Sequence, residues 1–197
     1  MKELVVATSN RGKLQEIRSL LDGVVDTVHC AADFAEFPET IEDGSTFREN
    51  ALKKAREAMR FSGLPALADD SGLVVAVLDG RPGVHSARFA GEGAGDAANN
   101  RRLLEELNGI PADRRQAAFV CVLAFVTPAG YEQVFSGRVG GAILTAERGE
   151  GGFGYDPLFL VDGFDRTMAE LSLEEKNEIS HRGQALQHFR AFLEQGR

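Results

Sequence analysis

Asp69 and Asp70 stand side by side in the run Ala68-Asp69-Asp70-Ser71-Gly72-Leu73. Leu64-Pro65-Ala66-Leu67 precedes it, and Leu73-Val74-Val75-Ala76-Val77-Leu78 follows. Few features constrain a fold more tightly. Apolar flanks of this kind are strands that want burial, and a buried carboxylate is expensive unless a cation, a proton or a metal compensates it. Two readings fit. Asp-Ser-Gly is good turn chemistry, so the pair can mark a turn joining two strands. Alternatively, the carboxylates serve a site at the edge of the core, in which case the rest of the chain must supply their partners.

The remaining pattern alternates short apolar runs with amphipathic ones. Leu4–Ala7 reads as a buried strand, followed by a helix with Leu14, Ile17, Leu20 and Leu21 on one face. A strand is expected near Val24–His29, and an acidic loop near Phe37–Ser45. Thr46-Phe47-Arg48-Glu49 is a capping box opening a helix to about Ser62, where Gly63 ends it. After the strand pair at Asp69-Asp70, Val84–Gly95 reads as loop. Asp96 caps a helix to Leu107. Gln116–Thr127 and Tyr131–Val139 form a hairpin around Pro128-Ala129-Gly130. Strands over Ala142–Ala146 and Asp156–Val161 flank the glycine-rich Gly149–Gly154, and helices near Leu173–Glu178 and Arg182–Gln195 finish the chain. No repeat, low-complexity tract or linker interrupts this, so a single α/β domain over 1–197, or two lobes sharing a sheet, is expected.

Composition narrows the function classes. A net charge of −8 argues against a nucleic-acid binder, which would carry a basic face. It leaves room for a triphosphate site, because a local cluster of Lys and Arg fits within an acidic surface. Cys30 and Cys121 are far apart and form no CxxC pair, which points to a reducing cytoplasm and no structural zinc. No stretch resembles a signal peptide or approaches membrane-spanning length.

Four clusters carry chemistry. Thr8-Ser9-Asn10-Arg11-Gly12-Lys13 joins a strand to a helix, so backbone N–H groups, a positive dipole end, Arg11 and Lys13 all face an anion. A plain polar turn would look similar, since the segment is not a Walker A sequence. Asp69 and Asp70 are hard oxygen ligands suited to Mg²⁺, and either could orient or deprotonate a water. Glu42 or Glu39 of the acidic loop would supply a second ligand. Gly151-Gly152-Phe153-Gly154-Tyr155-Asp156-Pro157 sets two aromatics among glycines, which lets backbone and ring approach a flat base; the alternative is a turn with Phe153 in the core. Ser180-His181-Arg182-Gly183 places potential cations in the first turn of a helix, against its dipole, which suits an electron-rich ligand group there. Lys176 lies just upstream. His29, His85 and His188 show no ligand spacing.

In this order the clusters resemble the inosine triphosphate pyrophosphatase family, which hydrolyses non-standard purine nucleoside triphosphates to monophosphate and pyrophosphate. The resemblance runs nearly end to end, through TSNRGK at 8–13, EDGSTFRENALKKA at 42–55, ADDSGL at 68–73, GRPGVHSARFAG at 80–91, GGFGYDP at 151–157 and EEKNEISHRGQAL at 174–186. It implies an elongated, curved mixed β-sheet flanked by helices, two lobes with a central substrate cleft, a homodimer and dependence on Mg²⁺. By position it implies that Thr8, Ser9, Asn10, Arg11, Gly12, Lys13 and Lys54 hold the phosphates, that Glu42 and Asp70 hold magnesium, and that Asp70 is the general base with Asp69 beside it. Ser71 would contact substrate, Phe153 with Gly154 and Tyr155 would form the base platform, Asp156, His181 and Arg182 would read the base edge, and Lys176 would line its pocket. The chain departs from the family at Ser9, where glycine is frequent, and at His85, where an aromatic is common.

Two other classes are compatible with parts of the pattern. A catalytically silent nucleotide sensor would keep the aromatic and basic residues but has no need of Asp69, Asp70 and Glu42 together. A magnesium phosphohydrolase acting on a small phosphoester would leave the glycine-aromatic segment idle.

Overall fold

The computed structural model describes residues 1–196. Among the described residues the apolar alternation resolves into six strands and five α-helices: β1 (Glu3–Val6), α1 (Arg11–Leu21), β2 (Thr27–Cys30), α2 (Phe47–Ser62), β3 (Ala66–Val75), α3 (Asp96–Glu106), β4 (Gln116–Val126), β5 (Glu132–Ile143), β6 (Phe159–Val161), α4 (Leu173–Ile179) and α5 (His181–Gln195). The strands form one sheet in the order β2-β1-β3-β4-β5-β6. It is mixed, as expected: β1 runs parallel to β2 and β3, whereas β5 and β6 are antiparallel. No described helix is long and apolar enough to cross a membrane.

The chain divides into two compact units. The first takes Met1–Asp70, Cys121–Gly137 and residues 182–196; the second takes Ser71–Val120 and Arg138–His181. Each has its own core. In the first, Leu4 and Val6 of β1, Ile17 and Leu21 of α1, Leu67 of β3, Leu123 and Phe125 of β4, and Leu186 and Phe189 of α5 pack together. In the second, Leu73 and Val75 of β3 meet Leu103 of α3, Phe119 of β4, Phe159 of β6, and Leu158 and Met168.

Helix ends follow local chemistry. Asn10 caps α1 by accepting the Lys13 N–H at 3.1 Å. Thr46 caps α2 by accepting the Glu49 N–H at 3.2 Å, and Gly63 ends that helix at φ +70°, where a side chain would be strained. A cap of this kind contributes about 1 kcal/mol. The Glu49 carboxylate turns to the N–H and hydroxyl of Ser45, so the expected capping box is closed one residue early.

Four local expectations are corrected. There is no turn at Asp69-Asp70: β3 runs unbroken through both, because each carboxylate finds cationic partners and needs no turn to bring it to water. Val84–Gly95 is not all loop, since Gly83–Arg88 forms a 3₁₀ helix. The separate strand expected over Ala142–Ala146 does not form: Ala142 and Ile143 end β5, which passes straight through Gly140-Gly141, and 144–146 lie beyond it. Those glycines do not break it; a Cβ on Gly141 would strike the Leu160 carbonyl and the Phe159 ring of β6. The strand expected from Asp156 begins only at Phe159, after a 3₁₀ turn over Asp156–Leu158.

Candidate active site

In the first unit, an ion cluster is built on β3. Asp69 is 2% exposed, and its Oδ2 lies 2.9 Å from Lys13 Nζ and 3.3 Å from both Nε and Nη2 of Arg182. Arg182 is equally buried and donates through Nη1 to Glu16 Oε2 at 2.5 Å. Lys13 and Glu16 sit three residues apart on α1, so one helix face delivers a cation and an anion to the same place. Burial alone would raise the Asp69 carboxyl, but Lys13, Arg182 and Lys54 together outweigh it and hold the group far below the usual carboxylate range. Asp69 is therefore a permanent anion. Arg182 remains a cation despite its burial, because Asp69 and Glu16 face it.

Asp70 has a different environment. Its Oδ1 is 3.1 Å from Lys54 Nζ, and its Oδ2 accepts from Asn50 Nδ2 at 3.2 Å. Lys54 Nζ also contacts Glu42 Oε1 at 2.7 Å. Burial raises the Asp70 carboxyl, Lys54 pulls against that, and the Glu42 charge pushes it up again, so the net shift is upward. The two adjacent carboxyls are thus driven in opposite directions by their partners. A strand turns successive side chains to opposite faces, which is how neighbours come to have different surroundings. Asn50 and Lys54, four apart on α2, share one helix face. Asn50 Oδ1 accepts the Gly44 N–H at 2.8 Å, which ties the acidic loop to Asp70. Glu39, the rival to Glu42, is exposed.

The strand-to-helix segment lies at the start of α1. Thr8 Oγ1 accepts the Asn10 N–H, Ser9, Asn10 and Arg11 are exposed, and Gly12 is half-buried. Ser71, the last expected substrate contact on β3, is half-buried.

A second cluster belongs to the second unit. Lys176 Nζ of α4 lies 2.6 Å from Asp156 Oδ2, and both residues are buried. The same carboxylate oxygen accepts the Phe153 N–H at 3.1 Å, and Lys176 Nζ sits 5.9 Å from the centre of the Phe153 ring. Gly152 makes this possible: at φ +77°, a Cβ there would overlap Asp156 Oδ2 and Lys176 Nζ. Gly154 donates its N–H to Asp96 Oδ2, and the buried Tyr155 donates its hydroxyl to the Ser86 carbonyl. His181 stacks on Phe119, ring centres 4.9 Å apart and 14° from parallel.

The structure thus brings Lys13, Glu42, Lys54, Asp69, Asp70 and Arg182 together in one cluster, and Phe153, Asp156 and Lys176 in another. It adds Glu16, Asn50 and Asp96, which no short motif marks as site residues. The spacing Lys13–Glu16 and Asn50–Lys54 on helical faces was the available signal for the first two. Asp96 is not the N-cap of α3; Gly95 holds that position. Among the described residues, no group of three or more His, Cys, Asp or Glu could hold a metal ion.

Residues 4–192 match the model of the Ham1 family. The dITP/XTP pyrophosphatase of Geobacter sulfurreducens is 59% identical over 186 residues, 94% of each chain. Two solved structures are similar over 99% of this chain and 100% of theirs. One is a HAM1 protein from Coxiella burnetii (44% identity, TM-score 0.89), the other the Staphylococcus aureus Ham1 protein (41% identity, TM-score 0.88). The resemblance carried by the sequence motifs is borne out.

Proposed function

The chain belongs to the Ham1 family, and from that premise we propose that it hydrolyses non-standard purine nucleoside triphosphates (ITP, dITP and XTP) to the monophosphate and pyrophosphate, removing deaminated purines from the nucleotide pool. The observation that carries this reading is the pair of carboxyls on β3. Asp69 is committed as an anion to Lys13 and Arg182, whereas Asp70 faces one lysine and one amide. A site with one fixed charge and one carboxyl moved toward neutrality has the acid–base asymmetry that hydrolysis needs.

The phosphates fall to the N-terminal end of α1, from Thr8 to Lys13, with Lys54 and Ser71 assisting. Helix-end N–H groups and ammonium charges favour the extra negative charge that develops on the leaving pyrophosphate. Asp70 accepts the proton of the water that attacks the α-phosphorus in line. Asp69 holds Lys13 in place and is itself a poor base.

Mg²⁺ is the cofactor that suits these residues. Glu42 Oε1 and Asp70 Oδ1 converge on one cation, the Lys54 ammonium, and they are the hard oxygen donors that Mg²⁺ takes from proteins one or two at a time. Glu42 and Asp70 would hold the ion, which when bound neutralises phosphate charge.

The base is assigned to the second cluster. Phe153 is the stacking face, flanked by Gly154 and Tyr155, and Asp156 and Lys176 form the polar pair beside it. Donors from His181 and Arg182 satisfy the 6-carbonyl of hypoxanthine or xanthine, but would meet the amino group of adenine donor to donor, a costly mismatch when buried. Arg182 reaches a base only by loosening its hold on Glu16 or Asp69. We further place the enzyme in the cytoplasm as a homodimer. Its two free cysteines suit a reducing compartment.

The test is product analysis of ITP, XTP, GTP and ATP with Mg²⁺. Monophosphate and pyrophosphate from ITP and XTP, with little from GTP or ATP, is the expected result. Release of orthophosphate, or tight binding without turnover, overturns it in favour of another phosphohydrolase or a silent sensor.

A further inference from the structure

Asp96 opens α3 without capping it. Gly95 occupies the N-cap position and makes no side-chain cap bond, while Asp96 Oδ2 accepts the N–H of Gly154 at 2.7 Å from 58 residues away. An acidic residue in a first helical turn is ordinarily explained by the helix dipole. The dipole does not require any particular long-range contact, and this carboxylate makes one, to a backbone donor in the glycine-rich segment.

The same face of α3 makes a second tie. Asn100, one turn later and 4% exposed, donates from Nδ2 to Glu147 Oε1 at 3.0 Å. Residues four apart lie one above the other on a helix, so Asp96 and Asn100 grip the segment at two points, before and within the run of glycines. Tyr155 supplies a third anchor through its 2.8 Å bond to the Ser86 carbonyl. Burial, reinforced by the Asp96 charge, pushes the Tyr155 hydroxyl up and keeps it a donor. Phe153 lies between these anchors and Asp156 directly follows the last of them, and the glycines flanking Phe153 (φ +77° at Gly152, +62° at Gly154) do little to stiffen the backbone by themselves.

We propose that Asp96, backed by Asn100, is a positioning residue that holds the glycine-rich segment so that Phe153 and Asp156 keep the arrangement in which they meet a base. This rests on the reading of Phe153 as the base platform. The action of Asp96 runs through the Gly154 N–H, by a bond that needs an oxygen acceptor at this reach and that the carboxylate charge strengthens.

The experiment compares Asp96→Ala and Asp96→Asn in the full chain, by ITP kinetics with Mg²⁺ and by amide hydrogen exchange. Asp96→Ala should raise KM for ITP roughly tenfold, the factor for one lost hydrogen bond to a charged group, with kcat within about twofold. Exchange should accelerate across 151–157 and stay unchanged in β4. Asp96→Asn keeps an oxygen acceptor and should restore KM to within about threefold of the parent. Unchanged exchange in 151–157, an unchanged KM, or an Asn variant as impaired as the Ala variant each overturns the proposal. Should Asp96→Ala not fold, Asp96→Ser, tolerated in a first turn but too short to reach, serves in its place. Phe153→Ala run alongside separates the two readings: if it leaves KM unmoved, the base platform is wrong, and the exchange result still decides whether Asp96 clamps the segment.

Discussion

Glu16 and Arg182 stand 166 residues apart in sequence and meet at 2.5 Å in the interior of the first unit, both nearly sealed from water. Arg182 Nε and Nη2 both turn to Asp69, so the guanidinium is shared between two carboxylates. Such a pair is weak evidence of net stabilisation, because desolvation offsets the attraction, but removing one partner leaves a buried charge exposed to the full penalty. The consequence is asymmetric and measurable.

Glu16→Leu should destabilise the fold by about 2–4 kcal/mol, somewhat below the full cost of orphaning a buried charge because Asp69 remains. The check is the urea midpoint at unchanged m-value. A loss under about 0.5 kcal/mol, the size of an ordinary surface change, would mean that Glu16 contributes nothing to holding Arg182.

Asp70→Asn separates chemistry from structure. The amide keeps the shape and can still accept from Lys54, and it removes a charge that Glu42 opposes. Turnover of ITP should fall roughly 10²–10⁴-fold, as for a lost acid–base group, with the urea midpoint nearly unmoved. Asp69→Asn should do the reverse in part, lowering the midpoint because Lys13 and Arg182 lose their shared anion. A loss of turnover below tenfold for Asp70→Asn would remove it from the role of base.

How far the sequence discloses this site depends on which interactions are local. Lys13, Lys54, Asp70 and Phe153 stand in short motifs whose residue types announce anion binding, metal binding or stacking. Asn50 and Glu16 do not announce themselves: their importance lies in bonds to Asp70 and Arg182, formed only once α2 and α1 lie against the sheet. The unbroken β3 was hidden for the same reason. Asp-Asp-Ser-Gly has turn chemistry by itself, and only the cations brought by α1, α2 and α5 make an extended, buried path affordable. Strand β5 is hard to follow through Gly140-Gly141 in the sequence because glycine signals both a turn and a close approach, and only the position of the Phe159 ring tells which.

Gly152→Ala tests the close approach that matters most for the second cluster. The substitution would strain a backbone at φ +77° and drive a methyl into the Asp156–Lys176 pair. Left-handed strain and a disrupted buried ion pair both fall on the segment that carries Phe153, so KM for ITP should rise at least tenfold. Gly154→Ala has the same kind of φ but open space around its Cβ, and should be milder. Equal effects from the two substitutions would mean that backbone strain decides and the packing against Asp156 does not.

Cys121 of β4 makes the last test, because its thiol lies in the first unit among the charges that surround Asp69. Burial, and then the Asp69 charge, push it up to about 12, against about 8.5 for a free thiol. With the folded value raised, the favourable contribution of the neutral buried thiol is fully present below about pH 8.5 and is lost as pH rises toward 12, where the unfolded chain has already ionised. Two results follow. At pH 9, iodoacetamide should leave Cys121 unmodified in the native protein and label it readily in urea, as read by peptide mass mapping, because the thiolate is the nucleophile and the folded state scarcely populates it. Over pH 9–11, Cys121→Ala should lose stability less steeply than the parent chain. Rapid native labelling of Cys121 at pH 9 would show that the interior beneath Asp69 opens to solvent, and that the charge cluster above it is far more dynamic than its contacts imply.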